Sequence, residues 1–195
     1  MSSPLANAIA GLYAGDASTR NGAAAEIYAA GRAPAEHAAK SWLGDPELAA
    51  LLLGSKPEIT VGLAVQRETF SKIRVANSVA QLAEVPSDQD AEEFELHFPG
   101  DIALDILTSR APGGEGAIAR YLAKFGEGVQ QVEFRCMNVD RATEILKEKF
   151  SVSAIYPESR PGADGTHVNF FLMPVPGAGK VLIELFEPAA GKAHK

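Results

Sequence analysis

Glu95 and His97 stand two residues apart in EEFELHF (92–98), where Phe94, Leu96 and Phe98 alternate with Glu93, Glu95 and His97. A strand repeats every two residues, so the carboxylate and the imidazole share one face. Such a pair offers a base and an acid near neutral pH. The simpler alternative is a solvated strand face, the usual setting for these side chains. In VQQVEFRCM (129–137), Gln131, Glu133 and Arg135 fall on one face and Cys136 on the other. Charged groups on a buried face must be paired or liganded, which makes Glu133 a third catalytic candidate. Cys136 reads as a small core residue rather than a nucleophile. His167 shares a strand face with Asn169, while His37 and His194 receive no role.

Composition narrows the chemistry. The 195 residues are 46% apolar and 22% charged, with a formal net charge of -7, and they include one cysteine. One cysteine excludes an internal disulfide framework and a cysteine-based zinc cluster. The acidity, without a Lys/Arg cluster, argues against nucleic-acid binding. No apolar run approaches the roughly 18 residues of a membrane span, and no basic-then-apolar leader opens the chain. The expectation is a cytoplasmic protein that forms a homodimer and takes a small-molecule ligand, with no nucleic-acid or membrane partner.

The elements that would position these side chains change character near residue 56. Residues 1–55 are alanine-rich and read as short helices. Ser3–Pro4 opens one and Gly15 stops it, a second runs from Asn21 to Gly31, and Pro34 opens a third that carries His37 and Trp42. Asp45–Pro46 begins a last one before Gly54. The segment reads as a helical appendage that covers a sheet or a subunit interface. From there strands alternate with helices: strand 59–65, helix 67–77, an extended stretch 78–85, and strands 92–98 and 102–109. A glycine-rich joint with Gly113, Gly114 and Gly116 leads to a linking helix, 115–125; no phosphate-loop signature accompanies it. The order then repeats, with strand 129–137, a helix from Asp140, a short strand 152–156, and a hairpin of THVNFFLMP and KVLIELFE. The fold class is α+β, with two βαβββ modules at about 57–109 and 128–188 inside a domain 56–188, and a tail 189–195.

The motifs in these elements resemble the glyoxalase, or vicinal-oxygen-chelate, superfamily, and within it the methylmalonyl-CoA epimerases. LDILTSRAPGGEGAIARYLAKFGEGVQQVEF follows the order and spacing of their linking segment and of the first strand of their second module, and RPGADGTHVNFFLMPVPGAGKVLIELFE follows their closing hairpin. TVGLAV (60–65) stands at their first strand. The likeness covers about 57–188 and leaves the N-terminal helices outside it.

The resemblance implies four metal-ligand positions, which fall at Thr60, Asp105, Gln131 and Glu184. Both family histidines are replaced, by Thr60 and Gln131, and only Glu184 is kept. The family's chemistry uses a divalent cation to stabilise an enolate. Here the resemblance implies a cation such as Mg, Mn or Co, with the oxygen-only set favouring the harder ions. The other reading is a degenerate site that lost its metal and kept a polar cavity. Three functions follow: an epimerase or isomerase acting on an acyl or keto substrate by proton transfer, a metal-free module that binds or sequesters a small molecule, and an interaction protein working through its N-terminal helices. The fold alone does not choose among them.

Overall fold

The structure is a computed structural model that describes residues 3–54, 56–177 and 179–189. The expected tail therefore lies outside the described residues from 190 onward, as does His194. The chain divides into two compact units. The first joins the residues up to Gly31 with Thr60–Gln130, and the second joins Arg32–Ile59 with the residues from Gln131 on.

The first unit begins with α1 (Pro4–Gly11), where the Ser3 hydroxyl accepts the Ala6 N–H at 3.1 Å and proline takes the first turn. Asp16 accepts the Thr19 N–H at 2.8 Å, and that hydrogen bond holds its carboxyl below the usual range. The helix so capped, α2 (Ala17–Ala39), is one helix of 23 residues. This corrects the expected start at Asn21, stop at Gly31 and new start at Pro34. Gly31 serves a close approach instead: a Cβ there would lie 2.6 Å from Val61 Cγ1 and 3.2 Å from Val129 Cγ1. Pro34 has no N–H for the Ala30 carbonyl, but Ala30 is exposed, so water can replace the missing donor.

Strand β1 (Ile59–Ala64) leads into α4 (Arg67–Ala76), while α3 (Pro46–Leu51) belongs to the second unit. Then come β2 (Glu92–Phe98), β3 (Ile102–Thr108) and α5 (Ala117–Phe125). Strand β3 is central, parallel to β1 with Asp105 opposite Gly62, and antiparallel to β2 with Asp105 opposite Glu95. The stretch 79–85 runs beside β2 through one backbone bond, Ala83 N–H to the Glu93 carbonyl at 2.9 Å, and forms no ladder of its own. Phe70 of α4 meets Phe94 edge-on at 4.8 Å, over a core that includes Leu12, Ile27, Leu63, Ile73, Leu104 and Ile106, all fully buried. Those residues recur at helical or alternating spacing, which is why the elements form with one apolar side.

In the second unit a 3₁₀ turn at Trp42–Gly44 precedes α3 (Pro46–Leu51). Asp45 caps α3 by accepting the Glu47 and Leu48 N–H groups at 3.1 and 3.0 Å. Strand β4 (Gly128–Arg135) feeds α6 (Val139–Phe150), capped by Asn138 through the Arg141 N–H at 2.8 Å. The strands β5 (Arg160–Pro161), β6 (His167–Val175) and β7 (Gly179–Glu187) complete it. Strand β7 lies between β4, parallel to it, and β6, antiparallel to it; β5 pairs on the outer side of β6. The short strand expected at 152–156 is corrected: that stretch reaches β6 through the Ile155 N–H, which donates to the Phe170 carbonyl at 2.7 Å, but forms no ladder, and the pairing falls to Arg160 opposite Val168. Trp42 packs edge-on against Phe171 at 6.1 Å, with Leu48, Leu52, Ile145 and Leu146 fully buried. Arg141 bonds Glu47 and Glu144, and Lys149 bonds Asp45 and Glu47, so charges tie α3 to α6.

Candidate functional site

In the first unit, register gathers residues that the sequence treats separately. Glu95 faces Asp105 across the β2–β3 ladder, and Gly62, two residues beyond Thr60, faces Asp105 across β1–β3. Residues directly opposite share a face, as do residues two apart. Thr60, Asp105, Glu95 and His97 therefore occupy one face of this three-stranded sheet. Thr60 is 5% exposed and Asp105 8%. The Thr60 hydroxyl donates to Glu95 Oε1 at 3.3 Å, and the other Glu95 oxygen lies 3.5 Å from His97 Nε2. Glu95 keeps 37% of its side chain exposed and His97 70%. The result is a carboxylate held from two sides and open to a solute.

The second unit gathers Gln131, Glu133 and Glu184. Glu133 on β4 is directly opposite Glu184 on β7. Gln131 Nε2 donates to Glu184 Oε2 at 2.6 Å and to Glu133 Oε1 at 3.1 Å. Gln131 and Glu184 are each 8% exposed. A short bond from an amide to a buried carboxylate replaces hydration that burial has removed. Arg135, on the same face, pairs with Glu58 at 2.9 Å. Cys136 points the other way and is buried, and that burial pushes its thiol up to about 11.

Sequence reasoning passed over the neighbours of Glu184. Phe170 on β6 is directly opposite it, Tyr156 meets Phe170 edge-on at 6.0 Å, and the Arg160 guanidinium stacks over Tyr156 at 4.9 Å. Only the register of β6 on β7 brings these groups to the carboxylate, and no motif announces that register. His167 lies on the opposite face, within 3.4 Å of the Ser159 hydroxyl.

The arrangement tests the cation that the resemblance implies. Hard cations take oxygen ligands. Gln131 instead turns its amide nitrogen, a donor, to the Glu133 and Glu184 carboxylates. Among the described residues, no group of three or more His, Cys, Asp or Glu side chains is placed to hold a metal ion. Among the described residues, no helix is long and apolar enough to cross a membrane.

No family model and no curated protein sequence matches the chain. Solved structures do. A methylmalonyl-CoA epimerase from Mycobacterium tuberculosis is 29% identical, with a TM-score of 0.55 over 67% of this chain and 86% of that one. A Streptomyces coelicolor methylmalonyl-CoA epimerase in complex with 2-nitronate-propionyl-CoA is 26% identical, with a TM-score of 0.54 over 69% of this chain and 99% of its own. A methylmalonyl-CoA epimerase in complex with methylmalonyl-CoA and ammonium is 28% identical, with a TM-score of 0.55 over 71% and 99%. Nearly the whole of these proteins is matched by about two thirds of this one.

Proposed function

We propose that the chain is a member of the vicinal-oxygen-chelate (glyoxalase) superfamily, a reading that its similarity to the epimerase structures supports, and that it is an isomerase-type enzyme that moves a proton on a small acyl or keto compound, with Glu95 as the base. One observation carries this reading. Glu95 is a partly exposed carboxylate oriented by the Thr60 hydroxyl on one oxygen and by His97 on the other. A general base needs both reach and orientation, and here the sheet supplies both.

In the step proposed, the carbon–hydrogen bond beside the carbonyl breaks, the proton passes to a Glu95 oxygen, and the electron pair moves into the enolate. A ring N–H of His97 can donate to the developing oxyanion, where a hydrogen bond counts most. Return of the proton completes the isomerisation without a co-reactant. Support for a thioester substrate comes from the neighbours, two of which are described with CoA esters bound.

Exchange in deuterated buffer tests the reading directly. Acyl-CoA thioesters, methylmalonyl-CoA among them, would be incubated with the protein and followed by mass spectrometry for deuterium beside the thioester carbonyl. Wild type should exchange, and Glu95→Gln should slow exchange about 10²-fold or more, the usual weight of a general base. An equal rate in the variant, or no exchange with any acyl or keto compound tried, overturns the proposal.

A second reading rests on the Gln131 amide, whose nitrogen donates to both Glu133 and Glu184. On this reading the chain is a metal-free module that binds a small molecule and does not turn it over. It requires purified protein without bound divalent metal by elemental analysis, and a ligand-dependent rise in Tm without deuterium exchange.

A further inference from the structure

We propose that Ala103 is a positioning residue for the Glu95 base: its single methyl leaves room for the Glu95 side chain to lie across β3 and meet Thr60 and His97. The proposal rests on Glu95 as the base and adds a residue which that reading does not use.

The register of the first unit puts Ala103 beneath the cluster. On the face that carries Thr60, Glu95, His97 and Asp105, Ala103 of β3 is directly opposite His97 of β2. Thr60 and Ala103 each stand one residue before the paired Val61 and Leu104, so Thr60 flanks Ala103 from β1. Neighbouring strands lie about 4.8 Å apart, so β1 and β2 stand about 10 Å apart with β3 between them. The Thr60 hydroxyl still reaches Glu95 Oε1 at 3.3 Å. The Glu95 side chain must therefore cross β3, and it crosses diagonally, since its own partner in the ladder is Asp105, the next residue on that face after Ala103. Its second oxygen lies 3.5 Å from His97 Nε2. Three side chains thus converge over position 103.

Charge and size both favour that path. Like charges directly opposite each other on a sheet are unfavourable, and leaning towards Ala103 carries the Glu95 carboxylate away from Asp105. A γ-branched side chain at 103 would stand in the path. The cost of blocking it falls on orientation rather than on folding. Ala103 is half-buried and points away from the face of Leu104 and Ile106, which are fully buried, so a larger residue there does not enter their core.

The test is a size series, Ala103→Gly, Ala103→Val and Ala103→Leu, in the full chain. Propionyl-CoA in deuterated buffer is the probe, with exchange followed by mass spectrometry. Glycine should leave kcat within about twofold, and leucine should lower it about 10²-fold at unchanged KM, the weight of a reacting group moved by about 1 Å. Valine should fall between them and carries the series if the leucine variant folds poorly. Urea unfolding reads the same arrangement without substrate, and it alone decides if wild type leaves propionyl-CoA unexchanged. Thr60→Val should lower the unfolding midpoint of the wild-type chain and leave that of the Ala103→Leu or Ala103→Val chain unchanged. A kcat that is flat across the series, or a Thr60→Val effect that is the same in every background, would each overturn the proposal. Failure of the base reading looks different, because Glu95→Gln would then exchange as fast as wild type.

Discussion

Gln131 serves two carboxylates with one amide nitrogen, and this sets what substitution there should do. Gln131→Leu keeps the bulk and takes from buried Glu184 the donor 2.6 Å away. Loss of about 1–3 kcal/mol of stability is expected, the weight of removing a hydrogen bond from a buried charged group, and urea unfolding would read it. A variant as stable as wild type would show that water takes over the role. Cys136 allows a prediction with a pH sign. Its thiol is raised from 9.0 to about 11 by burial, so across that interval the unfolded chain loses a proton that the folded chain keeps. The contribution is whole below pH 9 and is lost as pH rises towards 11; Cys136→Ala should flatten this part of the stability profile. Gln131, Glu184 and Asp105 were singled out by the family resemblance, and all three are buried. The Thr60–Glu95 bond was not legible in the sequence, because it depends on how β1 and β2 flank β3, and spacing within one strand carries no register between strands.

Elements were legible where one face is apolar and ambiguous where small residues dominate. The linking helix α5 and the helix α6 lie close to where the periodicity puts them, since each has a strong apolar stripe. Alanine-rich α2 has no such stripe, so Gly31 and Pro34 read as punctuation, while packing decides otherwise. The role of Gly31 is testable. Its missing Cβ would lie 2.6 Å from Val61, a fully buried side chain that cannot swing away. Gly31→Val should therefore cost about 1–3 kcal/mol by overpacking, despite valine's freedom from the glycine entropy penalty. Thermal unfolding would measure it, and an unchanged or raised Tm would mean that the contact relaxes. The β5 strand taught the same lesson on a smaller scale: two residues cannot show a period, so Arg160–Pro161 went unread while 152–156 looked extended.

At the scale of the molecule, the open question from sequence is what residues 1–55 do. Each part of that segment shares the core of the unit it belongs to. In the first unit Leu12, Ala24 and Ile27 have no exposed surface, and in the second Trp42, Leu48 and Leu52 have none. Burial of such side chains is worth about 1.5–3 kcal/mol for each large one, a sum comparable with the whole stability of a domain. Charges reinforce it in the second unit, where Arg141 and Lys149 hold Asp45 and Glu47. A chain beginning at residue 56 should therefore lose cooperative unfolding and bind hydrophobic dye, even though it retains the whole stretch that resembles the epimerases. If the truncated chain instead gave a sharp transition and a dispersed amide spectrum, residues 1–55 would be separable, and an interaction role for them would gain support. The fused, buried state is the expected outcome, because no solvated linker separates Ala39 from Trp42 or Leu52 from Ile59 by more than a few residues, and both ends of each gap are anchored in buried side chains.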